Sequence, residues 1–185
     1  LEISRIFTGM RVSPNTLKWG LRLYPPFFFQ RIWVISILDS FLGADVRINK
    51  SLLNMNSNRT IFGGTIFSAI DPFYPILLDQ YFKHQGILRT VAWLKTAHID
   101  YIKPGRMDLL VSFRLKEEVL KEALHTIKHE GKVVKTFQTQ VFDKKGTLCA
   151  VAHNEIYIRD LDFDFETYNK LSTSEEVENK QSKLY

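Results

Sequence analysis

Residues 54–81 read NMNSNRTIFGGTIFSAIDPFYPILLDQY. The stretch opens polar, with Asn54, Asn56, Ser57, Asn58 and Arg59, passes through Gly63-Gly64 and turns apolar from Ile66 to Leu78. Loop, glycine turn and then a helix apolar on most sides is the predicted order, and such a helix belongs in a core. Glycines at its entrance let a ligand or another chain approach the first turn, where N–H groups lack partners. Asp71 is the one formal charge inside the apolar run, and Pro72 and Pro75 follow it. Pro72 donates no hydrogen bond and crowds the carbonyl of Ser68, and Pro75 does the same to that of Asp71. The helix is therefore expected to kink or open beside the carboxylate. An acid placed there either bonds the loosened backbone or serves chemistry.

Toward the N-terminus, Pro14-Asn15-Thr16 predicts a helix through Tyr24, with Leu17, Leu21 and Tyr24 on one face, ended by Pro25-Pro26. The aromatic and β-branched run from Phe27 to Leu38 reads as a strand with a bend near Gln30-Arg31. Ala44 to Leu53 alternates like a half-buried strand, and the Asp39 to Gly43 link makes a hairpin of the two. Beyond the central helix, Leu88 to Ile102 is a strand with Trp93, Lys95, Ala97, Ile99 and Tyr101 on one face. Leu94, Thr96, His98 and Asp100 fall on the other. Pro104-Gly105-Arg106 turns into a strand over Met107 to Leu115. Glu117 to His129 is a short amphipathic helix, striped by Val119, Leu120, Ala123, Leu124 and Ile127 and ended by Gly131. Val133 to Phe142 and Thr147 to Ile158 are the last strands, joined by a hairpin loop at Asp143–Gly146. The reading is an α+β fold, an antiparallel sheet of about six strands wrapped around one long helix, because so apolar a helix needs a sheet to cover it.

The spacing carries a resemblance. Asn56, then Phe62-Gly63-Gly64 six positions on, then Asp71 nine positions after Phe62, resembles the signature of PaaI-like hotdog-fold acyl-CoA thioesterases. In that signature a His stands where Phe62 is. Asn54, Arg59-Thr60, the Asp71-Pro72 pair, Trp93, Lys95 and Pro104-Gly105-Arg106 are similar to an uncharacterised branch, a domain of unknown function with Phe-Gly-Gly. The resemblance covers roughly residues 20 to 160 and implies a hotdog fold. It also implies a homodimer or dimer of dimers in which the acid of one subunit faces the glycine turn of its partner. Thioester hydrolysis needs a base or nucleophile and donors for the oxyanion. The implied catalytic set is Asp71 as base or nucleophile, Asn56 to position water or thioester, and Gly64 as donor. Gly63, Phe62, Asn54, Thr60, Lys95 and Trp93 are the implied substrate-binding residues. Lys95, a charge on an apolar face, is the expected partner of Asp71, since a buried charge needs pairing.

The expected organisation is one domain over residues 1–160, with its core at 27–160, a helical extension at 14–26 and an acidic, mobile tail at 161–185. Hydrophobic content of 45% and 13% aromatic residues exclude a disordered chain. One cysteine, Cys149, excludes an internal disulfide framework and fits a reducing, cytoplasmic setting. Leu21 to Leu38, the nearest approach to a membrane span, is interrupted by Arg22, Pro25, Pro26, Gln30 and Arg31. Asp160 onward holds seven acids and three lysines, so the overall +5 becomes +9 over the preceding body. That suits a phosphate-bearing ligand such as coenzyme A; without a recognised motif it does not argue for nucleic acid. His125 and His129 have helical metal spacing but no companion motif, and neither metal nor cofactor is expected. Two functions follow: an acyl-CoA or related thioester hydrolase, and a non-catalytic hotdog that binds an acyl chain or acyl-CoA. Asp71 and Asn56 favour the first, Phe62 and Lys95 the second.

Overall fold

The structure is a computed structural model that describes residues 10–166 and Tyr168. The rest of the acidic tail lies outside the described residues. Helix α1 (Pro14–Leu23) starts at Ser13, whose hydroxyl accepts the Thr16 N–H at 3.1 Å, and it buries Leu17 and Leu21. The double proline does not hand over to a strand. Pro25 and Pro26 open a second short helix, α2 (Pro25–Phe29), at positions where a missing N–H is no loss. The strand expected from Phe27 therefore begins only at Ile32, after Arg31 turns the chain at φ 61°.

Strands β1 (Ile32–Ile37) and β2 (Gly43–Ile48) form the expected antiparallel hairpin through a 3-10 turn at Asp39–Phe41. The second strand stops at Ile48 rather than Leu53, because the asparagines beyond it build a loop. The central helix is broken outright: α3 (Gly63–Ser68) ends at Ala69, and α4 (Phe73–His84) restarts after Pro72. Then come β3 (Thr90–Tyr101), β4 (Leu109–Arg114), α5 (Glu117–Glu130), β5 (Lys132–Asp143) and β6 (Leu148–Asp160). Gly131 ends α5 at φ 70°, as its position predicts. The six strands form one sheet in the order β1-β2-β4-β5-β6-β3, every pair antiparallel.

The faces of β3 differ from simple alternation. A bulge between Leu94 and Thr96 leaves Lys95 as the extra residue and flips the sequence beyond it. Ala92 and Leu94 pair with inward Ile158 and Ile156, whereas Ala97 and Ile99 pair with inward Asn154 and Ala152. Trp93 therefore shares no face with Ile99 and Tyr101; it stacks at a tilt on Tyr157, ring centroids 4.6 Å apart.

Helix α4 is buried on opposite sides, through Phe73, Leu77 and Phe82 as well as Tyr74 and Leu78. Its charges are paired inside: Lys83 reaches Asp79 at 2.7 Å, and the Thr90 hydroxyl donates to the same carboxylate at 2.5 Å. Gln80 clasps the segment before α1, accepting the Val12 N–H at 3.1 Å and donating to the Met10 carbonyl at 3.3 Å. Phe73 stacks between Phe113 of β4 (4.7 Å) and Phe27 of α2 (5.8 Å), tying the N-terminal helices to the sheet. Among the described residues no helix is long and apolar enough to cross a membrane. Phe73→Ala empties the middle of that stack and is expected to lower unfolding free energy by about 4 kcal/mol, measured by urea denaturation.

Candidate active site

Asn54 is the loop's anchor. Its amide donates to the carbonyls of Gln30 (2.8 Å) and Asn49 (3.0 Å), and its Oδ1 accepts the Ser51 N–H (2.9 Å). With 3% exposure and both amide donors committed to the loop, the side chain serves the loop's architecture, and burial without these bonds would be costly. Its own carbonyl accepts the Phe62 N–H at 2.8 Å, which sets the start of α3. Asn56 Oδ1 accepts the N–H groups of Asn58 (3.0 Å) and Thr60 (3.1 Å) and the Thr60 hydroxyl (3.1 Å). Among the described residues the Asn56 Nδ2 donors have no hydrogen-bond partner. Asn56 is thus half committed to the loop and half available.

Asn56, Thr60 and Gly63 line a cleft of about 290 Å³ with Tyr101, Lys103, Pro104 and Gly105. Gly105 accepts the Ile61 N–H at 2.9 Å and so joins the Pro104–Arg106 turn to the loop. The Tyr101 hydroxyl donates to the Gly63 carbonyl at 3.0 Å, and burial pushes its pKa up. The Gly63 and Gly64 N–H groups bond no backbone carbonyl among the described residues. The Phe62 ring, in a residue 57% exposed, folds back so closely over Gly64 that a Cβ there would sit 2.3 Å from it.

Asp71 lies in a different place. It opens on a cavity of about 650 Å³ walled by α2, the α3–α4 break and the start of β3. Pro26, Phe27, Phe67, Ile76, Ala92 and Trp93 supply much of its apolar lining. Among the described residues, Asp71 is the only charged side chain that lines it. Burial raises the pKa of this carboxyl. Lys95 does not neutralise it: the bulge turns that side chain to Glu155, at 2.6 Å, on the partly exposed face of the sheet. The expected Asp71–Lys95 pair is therefore replaced by Lys95–Glu155, because one extra residue in β3 re-aims the lysine.

Within one chain the structure brings together Asp71 and Trp93, and separately Asn56, Thr60 and Gly63. Lys95 and Asn54 line neither cavity. Tyr101 and the α2 wall were not among the residues expected from sequence. Tyr101 carries no local signal, and α2 was hidden because Phe27–Phe29 has strand composition. The histidines four apart on α5 stack on each other at 4.1 Å, and the His129 Nδ1 lies 2.8 Å from the His125 carbonyl.

An antiparallel sheet of six strands, laid against a buried central helix with a glycine turn at its entrance, is the hotdog fold. The family called Domain of unknown function (DUF4442) matches residues 15–158, and the chain belongs to it. Among solved structures, a protein of unknown function from Pseudomonas aeruginosa, called a probable thioesterase, is similar at TM-score 0.63 and 16% identity. It covers 82% of this chain and 98% of its own. A thioesterase from Haemophilus influenzae is similar at TM-score 0.60 and 9% identity, over 86% of this chain and 99% of its own. The PaaI protein of the Escherichia coli phenylacetic acid degradation operon is similar at TM-score 0.55 and 15% identity, over 78% and 95%. At these identities the likeness is one of fold. Among curated proteins none matches.

Two expectations follow from the electrostatics. In a double-mutant cycle, Lys95→Met and Glu155→Gln should couple by no more than about 1 kcal/mol, as a partly exposed pair does. Lys95→Met and Asp71→Asn should add without coupling, measured by chemical denaturation. Because burial raises the Asp71 pKa, the folded state holds that proton more tightly than the unfolded chain. The ionised carboxylate therefore lowers stability at neutral pH, and the deficit disappears below the ordinary carboxylate range of about 3.9. Asp71→Asn should raise Tm at pH 7, with a gain that shrinks as pH falls through that window.

Proposed function

We propose that this protein is a thioester hydrolase acting on acyl-CoA or a related acyl thioester, with each active site shared between two copies of the chain. The observation that carries the reading is Asp71, a lone carboxylate of raised pKa in the wall of an apolar cavity large enough for an extended acyl group. As general base it takes a proton from water while the water oxygen bonds the thioester carbon. The carbonyl electrons move onto oxygen, where the Gly63 and Gly64 N–H groups hold the developing charge. Collapse breaks the C–S bond, and the proton on Asp71 passes to the departing sulfur, leaving a carboxylic acid and a thiol. Asn56 orients water or substrate through its unbonded amide; Thr60 holds Asn56, and Asn54 holds the loop.

Geometry argues for two copies. Gly63 opens α3, whereas Asp71 lies three residues beyond its last residue, Ser68, and the two line different cavities. One carbonyl cannot touch both. A two-fold contact through α3 would set the glycine turn of one copy beside the acid of the other. The free edge of β3, twelve residues long with Trp93 and Tyr101 exposed, is also a surface that a second copy can cover. Against hydrolysis stands the Phe62 ring over Gly64, which puts an apolar plate where the related signature has a histidine. It favours the second reading, a hotdog that binds acyl groups without cleaving them.

Thiol release across acyl-CoA chain lengths tests the choice. Asp71→Asn should cut kcat/KM by ~10²-fold or more while binding of a non-hydrolysable analogue changes little. The acid limb of the wild-type profile should lie above the ordinary carboxylate range, since the base must be ionised and its pKa is raised. Mixing Asp71→Asn with Asn56→Ala subunits should restore roughly a quarter of wild-type activity, as half the dimers are mixed and half their sites are intact. Tight analogue binding without turnover at any chain length would establish the binding reading instead.

A further inference from the structure

The five-residue helix α2 faces two ways. Phe27 is buried and, with Pro26, lines the Asp71 cavity, whereas Phe28 and Phe29 stand 50% and 62% exposed, edge to face at 5.6 Å. Beside them the 49–54 loop ends in Leu52 and Leu53, exposed at 86% and 67%. The two segments are tied together by three bonds: Asn54 Nδ2 to the Gln30 carbonyl, and the Asn49 N–H and Nδ2 to the Arg31 carbonyl. The tip is also held from within, since Ser51 Oγ accepts the Leu53 N–H at 3.1 Å and its carbonyl accepts the Asn54 N–H at 3.2 Å. Two leucines at a braced turn next to two aromatic rings form a patch, which is not how single exposed apolar residues are distributed.

The segment that carries α2 is basic along its sequence. Between Met10 and Leu38 stand Arg11, Lys18, Arg22 and Arg31, and there is no acid. Over residues 10–60 there are seven basic side chains and two acids, a surplus equal to the +5 of the whole chain. Of those two acids, Asp45 is held by Arg114 at 2.6 Å. Asp108, which reaches the loop from the sheet, accepts the Lys50 N–H at 3.0 Å. Arg31 and Lys50 each stand two residues from the apolar tips in sequence.

We propose that this face docks on a lipid bilayer surface bearing anionic headgroups. Phe28, Phe29, Leu52 and Leu53 enter the headgroup–acyl boundary, and the basic side chains around them meet the anionic groups. A second copy fits worse, because a two-fold contact through this face would set an acid-free segment against itself, cation to cation. None of the four apolar residues lies on α3 or β3, the elements of the shared-site dimer. The patch and the cavity wall belong to the same helix, so docking places the Asp71 cavity close to the bilayer. The docking stands whether or not a thioester is cleaved.

Co-sedimentation of the full chain with vesicles tests it, using neutral phosphatidylcholine against the same lipid with about a third phosphatidylglycerol. The wild type should bind the anionic vesicles at least ~10-fold more tightly, and binding should weaken from ~0.05 M to ~0.5 M salt. Phe28→Ser with Phe29→Ser, or Leu52→Ser with Leu53→Ser, should each weaken binding ~10-fold or more, with unchanged circular dichroism and Tm. Arg31→Glu with Lys50→Glu should remove the preference for anionic lipid. No wild-type binding to anionic vesicles, or equal binding by the serine variants, overturns the proposal. It is equally overturned if the serine variants dissociate an oligomer that the wild type forms in sedimentation equilibrium, since the face would then join copies of this chain.

Discussion

Pro72 cannot donate to the carbonyl of Ser68, and much of the molecule follows from that one missing bond. The central helix cannot run straight from the glycine turn to His84, so it stops at Ser68 and restarts at Phe73. The four residues between place Asp71 at the break rather than inside a closed helical ladder. The backbone can then turn the carboxylate toward a cavity while Phe73, two residues on, enters the aromatic stack of the core. A proline-free sequence would have forced a choice between burying Asp71 in the core and turning an apolar face outward.

The elements that were legible in sequence are those whose pattern is local. The glycine turn, the broken apolar helix, the α5 stripe with its Gly131 stop and the last two strands all declare themselves by periodicity and turn residues. What was illegible depends on partners far along the chain. Phe27–Phe29 has strand composition, but two prolines at helix-start positions and the Phe27–Phe73 contact make it helical. The bulge at Lys95 is set by the register against β6, which no pattern within β3 reveals. That single residue decided both the partner of the lysine and the face of Trp93. In the candidate site, Asp71 could be singled out from sequence as an oddity, whereas the α2 wall and Tyr101 come from tertiary placement alone.

The asparagines show how a family-like signature divides into architecture and chemistry. Asn54 uses both ends of its amide inside the loop and Asn56 uses one. Hydrogen-bonding capacity, not residue type, therefore separates them: only Asn56 retains donors for something outside the protein. The same distinction applies to the glycines, since Gly105 supplies a carbonyl that braces the loop while the Gly63 and Gly64 N–H groups bond no backbone carbonyl among the described residues.

Apolar surface and charge are also divided along the chain in a way that core packing does not require. A domain of this size has ample core without Phe28, Phe29, Leu52 and Leu53, and polar side chains would satisfy those positions. Exposing them lowers solubility, and none of them belongs to the buried core. Loop geometry alone does not require the leucines either, because the turn is held by Ser51 and Asn54, whose bonds would be the same with any residue at the tip. The rigid backbone and the apolar tip are thus separate features placed together. A braced turn loses little conformational freedom when its tip is buried, which is the condition under which a small apolar patch binds a surface effectively.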